Sequence, residues 1–206
     1  MSSSEHTIHH VHRDDEGSRL GMWLFLFTEL LLFGGMFLLF AVYKFLHYEE
    51  FHKAATELNA LVGTLNTVIL LTSSLTMALS ITALQKGKRN LSILLQLATI
   101  AMAFGFLINK YVEWSAKISH GIYPGSEDLL SRGNGEILFF GLYYVMTGLH
   151  ALHVIIGVAI IGVMTWFTAR RSINPDNYVR LEAAGLYWHL VDIIWIFLFP
   201  LFYLIS

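Results

Sequence analysis

Residues 20–43 read LGMWLFLFTELLLFGGMFLLFAVY, an apolar stretch interrupted by a single ionisable side chain, Glu29. A helix needs about 20 residues, each rising about 1.5 Å, to cross the hydrocarbon core of a bilayer. This stretch is long enough and apolar enough to form such a helix. The residues before it, MSSSEHTIHHVHRDDEGSR, are polar, and the apolar run has no small-residue cleavage pattern. We therefore expect the helix to remain in the mature protein.

Four more apolar stretches of similar length follow along the chain, at residues 61–84, 91–114, 137–167 and 181–205. The 206-residue chain is 55% hydrophobic and 14% charged, with a mean hydropathy of +0.59. A soluble domain carries about 25% charged residues. We predict an all-α integral membrane bundle of five transmembrane helices. A polar tail at residues 1–19 would precede a single transmembrane domain at residues 20–206, with the longer loops at residues 44–60 and 115–135.

The composition also excludes several classes of function. Because the chain contains no cysteine, it has no disulfides, thiolate metal sites, iron–sulfur clusters or cysteine nucleophiles. Its formal net charge of −2 offers no broad basic surface of the kind that neutralises nucleic-acid phosphates. Nucleic acid is therefore not an expected partner.

Lysine and arginine are distributed unevenly between the two ends of the predicted helices. Cytoplasmic loops of membrane proteins carry an excess of these residues. The end that includes the amino terminus holds Arg13, Arg19, Lys86, Lys88, Arg89, Arg170, Arg171 and Arg180. The opposite end holds Lys44, Lys53, Lys117 and Arg132. The bias predicts a cytoplasmic amino terminus and, after five crossings, a carboxyl terminus outside.

Glu29 is predicted to lie near the middle of the membrane. A charge at that depth costs several kcal/mol, so an intramembrane carboxylate is by default a functional hypothesis. Two interpretations stay open: a neutral carboxyl hydrogen-bonded inside the bundle, or a carboxyl that exchanges protons or faces lipid or another protein. Gly34 and Gly35, one turn or so further on, would let another helix approach closely.

Other ionisable residues inside the predicted spans include Glu113, His150, His153, His189 and Asp192. His150 and His153, three residues apart, lie on one side of their helix. Such a pair could ligate a metal or haem, or hydrogen-bond to Glu113, Glu29 or Asp192. A structural polar network between helices is the commoner outcome and the one we expect. Glu113 also lies three residues after Lys110, a spacing that allows an ion pair.

Small and weakly polar residues recur along the second predicted helix: Gly63, Asn66, Thr67, Ser73, Ser74, Ala78 and Ser80. Such side chains let helix backbones approach closely, so this pattern indicates close packing. Aromatic residues near the ends of membrane helices, such as Tyr203, are typical of interface anchors.

The amino-terminal tail carries His6, His9, His10 and His12 beside acidic residues. Imidazoles titrate near neutral pH, so this cluster could collect protons at the cytoplasmic surface. A solvated tail without such a role is the alternative.

The ordered segments resemble cytochrome c oxidase subunit III and its quinol oxidase counterparts among the haem-copper oxidases. The resemblance is carried by TELLLFGGMF at 28–37, LNTVILLTSSLTMALSITALQKGKRN at 65–90, YVEWSAKISHGIYPGS at 111–126, TGLHALHVIIG at 147–157 and EAAGLYWHLVDIIWIFLFPLFY at 182–203. These segments cover the membrane part of the chain in the family's order and spacing.

This resemblance implies a non-catalytic accessory subunit of a respiratory oxidase that reduces oxygen to water and pumps protons. Haem and copper would be held by partner subunits, and this chain would carry no redox centre or other cofactor of its own. The expected partners are subunit I in direct contact, subunit II, a possible small subunit IV and structural phospholipids. The expected location is the bacterial cytoplasmic membrane.

The resemblance also implies roles for particular residues. Glu29 matches the family's mid-membrane carboxylate, which would influence proton uptake or turnover stability. The tail histidines resemble in kind the proton-collecting histidines proposed for such subunits. Longer family members have seven helices, and this chain begins at what would be their third, as short bacterial forms do. The helices that form one wall of the family's lipid cleft would then come from other chains.

Three alternatives remain at this point. The chain could be an accessory protein of a nitric oxide reductase. It could be a stand-alone b-type cytochrome with His150, His153 or His189 as haem ligands. It could also be a small proton-coupled transporter that uses Glu29 and Asp192, although the chain shows neither the internal repeats nor the broken helices typical of many transporters.

Overall fold

The computed structural model of the chain describes residues 15–175 and 177–205. Its helices are α1 (Asp15–Leu46), α2 (Tyr48–Ala55), α3 (Ala60–Gln85), α4 (Arg89–Ser119), α5 (Glu127–Leu130), α6 (Asn134–Ala169) and α7 (Val179–Tyr203). The described residues contain no β-strand. Five helices, α1 from Arg19 onward, α3, α4, α6 and α7, are long and apolar enough to cross a membrane. The predicted all-α fold with five membrane-spanning helices is confirmed.

Most of these helices extend beyond the predicted spans. Helix α1 begins at Asp15, inside the predicted polar tail, and α4 continues to Ser119. Backbone hydrogen bonding favours continuing a helix past the apolar core, whereas hydropathy marks only the part that suits the hydrocarbon. Helix α3 begins where the side chain of Asn59 accepts hydrogen bonds from the backbone N–H groups of Leu61 and Val62.

Two short helices lie within the segments predicted as loops. Helix α2 has eight residues, too few to span a membrane, and it buries Phe51, Ala54 and Ala55. The Phe51 ring packs edge-on against Phe40 of α1 and Phe139 of α6, with centroids 5.3 and 5.4 Å apart. Helix α5 has four residues and follows Ser126, whose hydroxyl caps it. We call the end of the bundle that holds α2 the α2 end, and the opposite end the amino-terminal end.

The helices pack as a bundle in which α3 lies against α4 and α7, α6 lies against α4 and α7, and α1 lies against α6 and α7 at one edge. Gly63 allows α3 to approach α7, since a Cβ there would lie 2.8 Å from Phe199 and 2.9 Å from Tyr203. Gly157 of α6 likewise lies beneath the Trp188 ring. The close packing expected of the second span is confirmed at Gly63.

Helix α1 is the least covered of the spanning helices. Its exposed large apolar side chains include Leu20, Trp23, Leu24, Phe27, Leu31 and Leu38. A Cβ built on Gly34 or Gly35 would meet no atom of the described chain within 4 Å. No described helix of this chain packs against these glycines, so the surface around them is open to lipid or to another subunit.

Candidate functional site

Glu29 of α1 and His153 of α6 form a hydrogen-bonded pair inside the membrane-spanning region. Glu29 Oε2 lies 2.8 Å from His153 Nε2, and the two side chains are only 16% and 10% exposed. His153 Nδ1 lies 2.8 Å from the carbonyl oxygen of Leu149, which can only accept, so Nδ1 carries a proton and donates. The remaining contact then holds one proton between Oε2 and Nε2. It is either a protonated Glu29 donating to neutral His153, or a protonated His153 donating to the Glu29 carboxylate.

The surroundings of this pair are aromatic. The Phe33 ring meets the His153 ring edge-on, with centroids 5.4 Å apart. The Tyr187 hydroxyl donates to the backbone carbonyl of His153 over 3.2 Å. The Phe33 contact and the hydrogen bond to Leu149 hold the imidazole, while Glu29 remains partly accessible from the bundle surface.

His150 lies one turn from His153 but outside this hydrogen-bonded pair. Its ring is fully buried, with Phe106 and Trp195 at centroid distances of 5.5 and 5.2 Å. Neither ring nitrogen has a hydrogen-bond partner within the described part of the chain. The i, i+3 spacing places the two histidines on neighbouring faces of α6. His153 meets α1, whereas His150 is enclosed by α4 and α7.

His189 and Asp192 also take separate environments. His189 Nδ1 lies 2.6 Å from the Ser74 hydroxyl of α3, so its partner is on another helix. Next to it, Trp188 Nε1 donates to the Ser73 hydroxyl over 3.1 Å. The Asp192 carboxyl is buried; Ser74 is near enough to interact with it, but neither carboxyl oxygen makes a hydrogen bond of normal geometry to a described residue.

Glu113 belongs to a buried polar cluster at the α2 end, where Lys110 and two tyrosines surround its carboxylate. Lys110 Nζ donates to Glu113 Oε2 over 3.0 Å, which confirms the expected contact between these residues. Lys110 also donates to the hydroxyls of Tyr143 and Tyr203 over 3.0 and 2.9 Å. The two hydroxyls donate to Glu113 Oε1 over 2.8 and 2.7 Å. Every charge here has a partner, as a buried ion pair requires.

Tyr143 and Tyr203 were not predicted as members of a polar site. Tyr203 is 1% exposed, so it is a buried hydrogen-bonding residue and not an interface anchor. The sequence held one signal for this role, which is the residue type. A tyrosine ring ends in a hydroxyl, and a buried hydroxyl usually has a polar partner. Glu113 also lines a cavity of about 520 Å³ between α3 and α4, together with Asn109 and Lys117.

A second cluster of charged side chains holds the loops together at the α2 end. Lys53 donates to Glu136 over 2.6 Å, and Arg132 donates to Glu57 and Glu136 over 2.6 and 3.1 Å. Partial burial would lower the pKa of Arg132, but the hydrogen bonds and charges of Glu57 and Glu136 outweigh it and raise that pKa above its ordinary value. These contacts tie α2 and the segment before α3 to the start of α6.

The predicted polar residues therefore fall into separate groups and not into one network. Glu29 pairs with His153, Glu113 with Lys110, and His189 with Ser74. Across residues 15–175 and 177–205, no three histidine or acidic side chains come together as a metal site would require. The histidines of the tail, His6, His9, His10 and His12, lie outside the described residues.

Comparison with known proteins identifies the family. The family model described as cytochrome c oxidase subunit III matches residues 1–206. Cytochrome c oxidase subunit 3 of Thermostichus vulcanus is 32% identical over 200 residues, which cover 97% of this chain and 92% of that one. The probable quinol oxidase subunit 3 of Staphylococcus haemolyticus is 29% identical over 210 residues, covering 100% and 98%.

A third relative is a longer protein. The heme-copper oxidase subunit I+III of Aeropyrum pernix is 30% identical over 200 residues, which cover 91% of this chain and 22% of that one. The family model spans the whole chain, and the Thermostichus vulcanus relative matches over nearly its full length. This chain belongs to the cytochrome c oxidase subunit III family.

Proposed function

We propose that this chain is the non-catalytic accessory subunit of a haem-copper terminal oxidase in a bacterial cytoplasmic membrane. The complex would reduce oxygen to water, pump protons and take electrons from cytochrome c or quinol. The observation that carries the proposal is the family match across residues 1–206. The relatives named as subunit 3 of cytochrome c oxidase and of quinol oxidase support it.

Direct binding to subunit I is the central partner proposal. The Aeropyrum pernix relative is named as subunits I and III in one chain, and such a fusion suits two parts that work side by side. The exposed apolar surface of α1, with open space beside Gly34 and Gly35, is a face on which another membrane helix could pack. Subunit II and a small subunit IV would complete the complex. Haem and copper would be held by the partner subunits.

Support for proton uptake is the role we propose for Glu29. The geometry that supports it is the 2.8 Å contact between Glu29 Oε2 and His153 Nε2, which needs one proton to be a hydrogen bond, in a largely apolar setting. Since Glu29 is partly accessible, it could exchange that proton with a group outside the chain. The histidines at positions 6, 9, 10 and 12 would gather protons at the cytoplasmic surface.

Structural phospholipids are the ligands we propose for the chain itself. An apolar groove of about 260 Å³ runs between α1 and α7, where Trp23, Phe27 and Leu190 are among its lining residues. A groove with such walls suits an acyl chain. Lipid held there would fill the space between this chain and its neighbours and so stabilise the catalytic subunit.

Affinity purification tests this function. The tagged chain is isolated from its native membrane in mild detergent, with membranes that carry the untagged chain as the control. Large partner chains with haem and copper, and oxygen uptake driven by cytochrome c or quinol, are the expected result. Co-purification with a nitric oxide reductase would favour that alternative complex, and a lone chain without haem-bearing partners would contradict the accessory role.

A further inference from the structure

Two adjoining cavities open at the amino-terminal end of the bundle, where the α3–α4 loop meets the α6–α7 loop. Their volumes are about 590 and 320 Å³, and they share Gly87, Arg89 and Arg171. Lys88 lines the larger one. The ionisable side chains that the described residues contribute to these walls are all cationic.

Arg89 joins the start of α4 to the end of α6. Its Nε donates to the carbonyl of Thr168 over 2.8 Å, and another guanidinium nitrogen donates to the carbonyl of Ala169. These contacts occupy part of the Arg89 fork with neutral acceptors at the end of α6. The arrangement fixes a concave surface between the loops and leaves a cation in its wall.

Lys88 and Arg171 are the cations without a structural task. Both side chains are exposed, and neither makes a hydrogen bond or ion pair to any described residue. Arg171 has a backbone φ of 61°, in the left-handed region that favours glycine. An arginine at that position costs free energy in the fold, and its guanidinium lies beside the cavities without an ion pair to any described residue. Asp176, the nearest acidic residue in the sequence of this loop, lies outside the described residues.

We propose that these cavities, with Lys88, Arg89 and Arg171 as their cationic wall, bind a phosphate-bearing anion. Cations gathered in one concavity repel each other, and a phosphate group offers several acceptor oxygens that arginine matches in geometry and lysine in charge. Basic pockets between membrane helices bind anionic headgroups in this way. The phosphate could belong to a phospholipid headgroup or to a soluble phosphate.

The site also agrees with the predicted orientation of the chain. The excess of lysine and arginine assigns the amino-terminal end to the cytoplasmic side, where the membrane surface is negatively charged. This site rests on the proposed function and deepens its phospholipid part, since it names a second place on the chain where the phosphate of a headgroup can bind. It makes no use of the α1 surface or of the catalytic partner.

Binding is measured on the full chain in neutral detergent, with phosphatidylglycerol, phosphatidylcholine and inorganic phosphate titrated separately. The test variant carries Lys88→Gln and Arg171→Asn, since asparagine tolerates the left-handed backbone. A charge-conserving variant, Lys88→Arg with Arg171→Lys, is the matched control. Lys44→Gln removes one positive charge at the α2 end and is the net-charge control for the single variant Lys88→Gln.

The test variant is expected to lose phosphatidylglycerol affinity by about 25-fold, because each cation near an anionic lipid surface contributes about fivefold. Both controls are expected to bind like the original chain. If inorganic phosphate shows the same dependence on Lys88 and Arg171, the phosphate source is soluble; if it does not bind, the source is lipid. Phosphatidylglycerol binding unchanged in the test variant overturns the proposal, as does an equal loss for phosphatidylcholine.

The single variant Lys88→Gln guards against misfolding, since Lys88 is exposed and its side chain contacts no described residue through a hydrogen bond. It is expected to lose about fivefold of the phosphatidylglycerol affinity. Co-purification with oxidase subunits is recorded in parallel for every variant. Loss of phospholipid binding with intact oxidase assembly would support this site, whereas failure of assembly in the original chain would count against the proposed function alone.

Discussion

The hydrogen bond between Glu29 and His153 needs one proton. The effect of replacing Glu29 therefore depends on whether the new side chain can still donate to His153. In Glu29→Gln the amide can still donate a hydrogen bond to His153 Nε2, but it has no acidic proton to exchange. We expect the chain to stay in the complex and most oxygen uptake to remain, because the proposed role of Glu29 supports turnover without catalysing it. Retention after purification and the rate of oxygen uptake measure this.

Glu29→Leu provides the contrast at the same position. It leaves His153 Nε2 without its partner, which costs about 1–3 kcal/mol for a buried polar group. Weaker retention in the complex is expected, whereas Leu94→Ala on the exposed side of α4, away from the proposed α1 interface, should behave like the original chain. Full loss of turnover in Glu29→Gln with the chain still bound would contradict the accessory role.

The pair formed by Lys110 and Glu113 is buried, so removing one partner should be more harmful than removing both charges. Lys110→Met leaves a buried carboxylate without its counter-ion, and Glu113→Gln leaves a buried ammonium. Each is expected to cost about 3–5 kcal/mol. The double variant keeps a neutral amide to pair with the hydroxyls of Tyr143 and Tyr203, so it should unfold at a higher temperature than either single variant.

Thermal unfolding of the four purified forms gives this comparison as a double-mutant cycle. Additive losses, with the double variant the least stable, would show that the two charges do not act as a pair. Lys44→Gln, which removes a cation from the end of α1 without touching the pair, is the control for net charge.

At the scale of single residues, the sequence indicated the ionisable positions but not their partners. Glu29, His153 and His189 stood out because a charge in hydrocarbon is costly, and each does make a polar contact across helices. The contacts join residues 124 and 115 positions apart in the chain. Helix periodicity assigns a residue to a face, whereas the neighbour opposite that face depends on how whole helices rotate and cross. That information is not local.

At the scale of helices, glycines separate the packed surfaces from the open ones. Gly63→Ala would place a Cβ 2.8–2.9 Å from the rings of Phe199 and Tyr203, which are held between α3 and α7. We expect a loss of about 1–3 kcal/mol in the free energy of unfolding, as for other overpacked sites. Gly34→Ala is the matched control within a membrane helix, because a Cβ there has open space.

Thermal unfolding of the isolated chain should therefore separate the two glycine variants. Gly63→Ala should unfold at a lower temperature than the original chain, and Gly34→Ala should unfold at the same temperature or slightly higher, since alanine is the better helix former. Equal stability of both variants would mean that α3 and α7 do not approach each other at Gly63.

Helix length and hydropathy were enough to predict the spanning helices, because the bilayer sets their length whatever they pack against. They were not enough for α2, whose eight residues mix charged side chains with Phe51 and two alanines. The signal for such a helix is a buried face of three residues, which is too short to distinguish from a loop. Its fold depends on Phe40 and Phe139, which belong to other helices.

At the scale of the whole molecule, its two ends differ in how their charges are used. At the α2 end, Lys53, Lys110 and Arg132 pair with carboxylates, whereas Lys44 makes no ion pair with a described residue. At the amino-terminal end, Lys88 and Arg171 make no ion pair with any described residue, although Arg19 bonds Glu182 over 2.9 Å. Free cations are the ones that respond to an anionic membrane surface, so this difference supports the orientation that the arginine and lysine count predicts.

The chain lacks cysteine, so its orientation can be tested without removing any native thiol. Ser172→Cys places an exposed thiol in the α6–α7 loop, and Glu127→Cys places one at the α2 end. In intact cells, a membrane-impermeant maleimide is expected to label Glu127→Cys and to label Ser172→Cys only after the membrane is opened. Both should react fully in detergent, which controls for accessibility. The opposite labelling would place the amino terminus outside and would also move the proposed phosphate site away from the cytoplasmic leaflet.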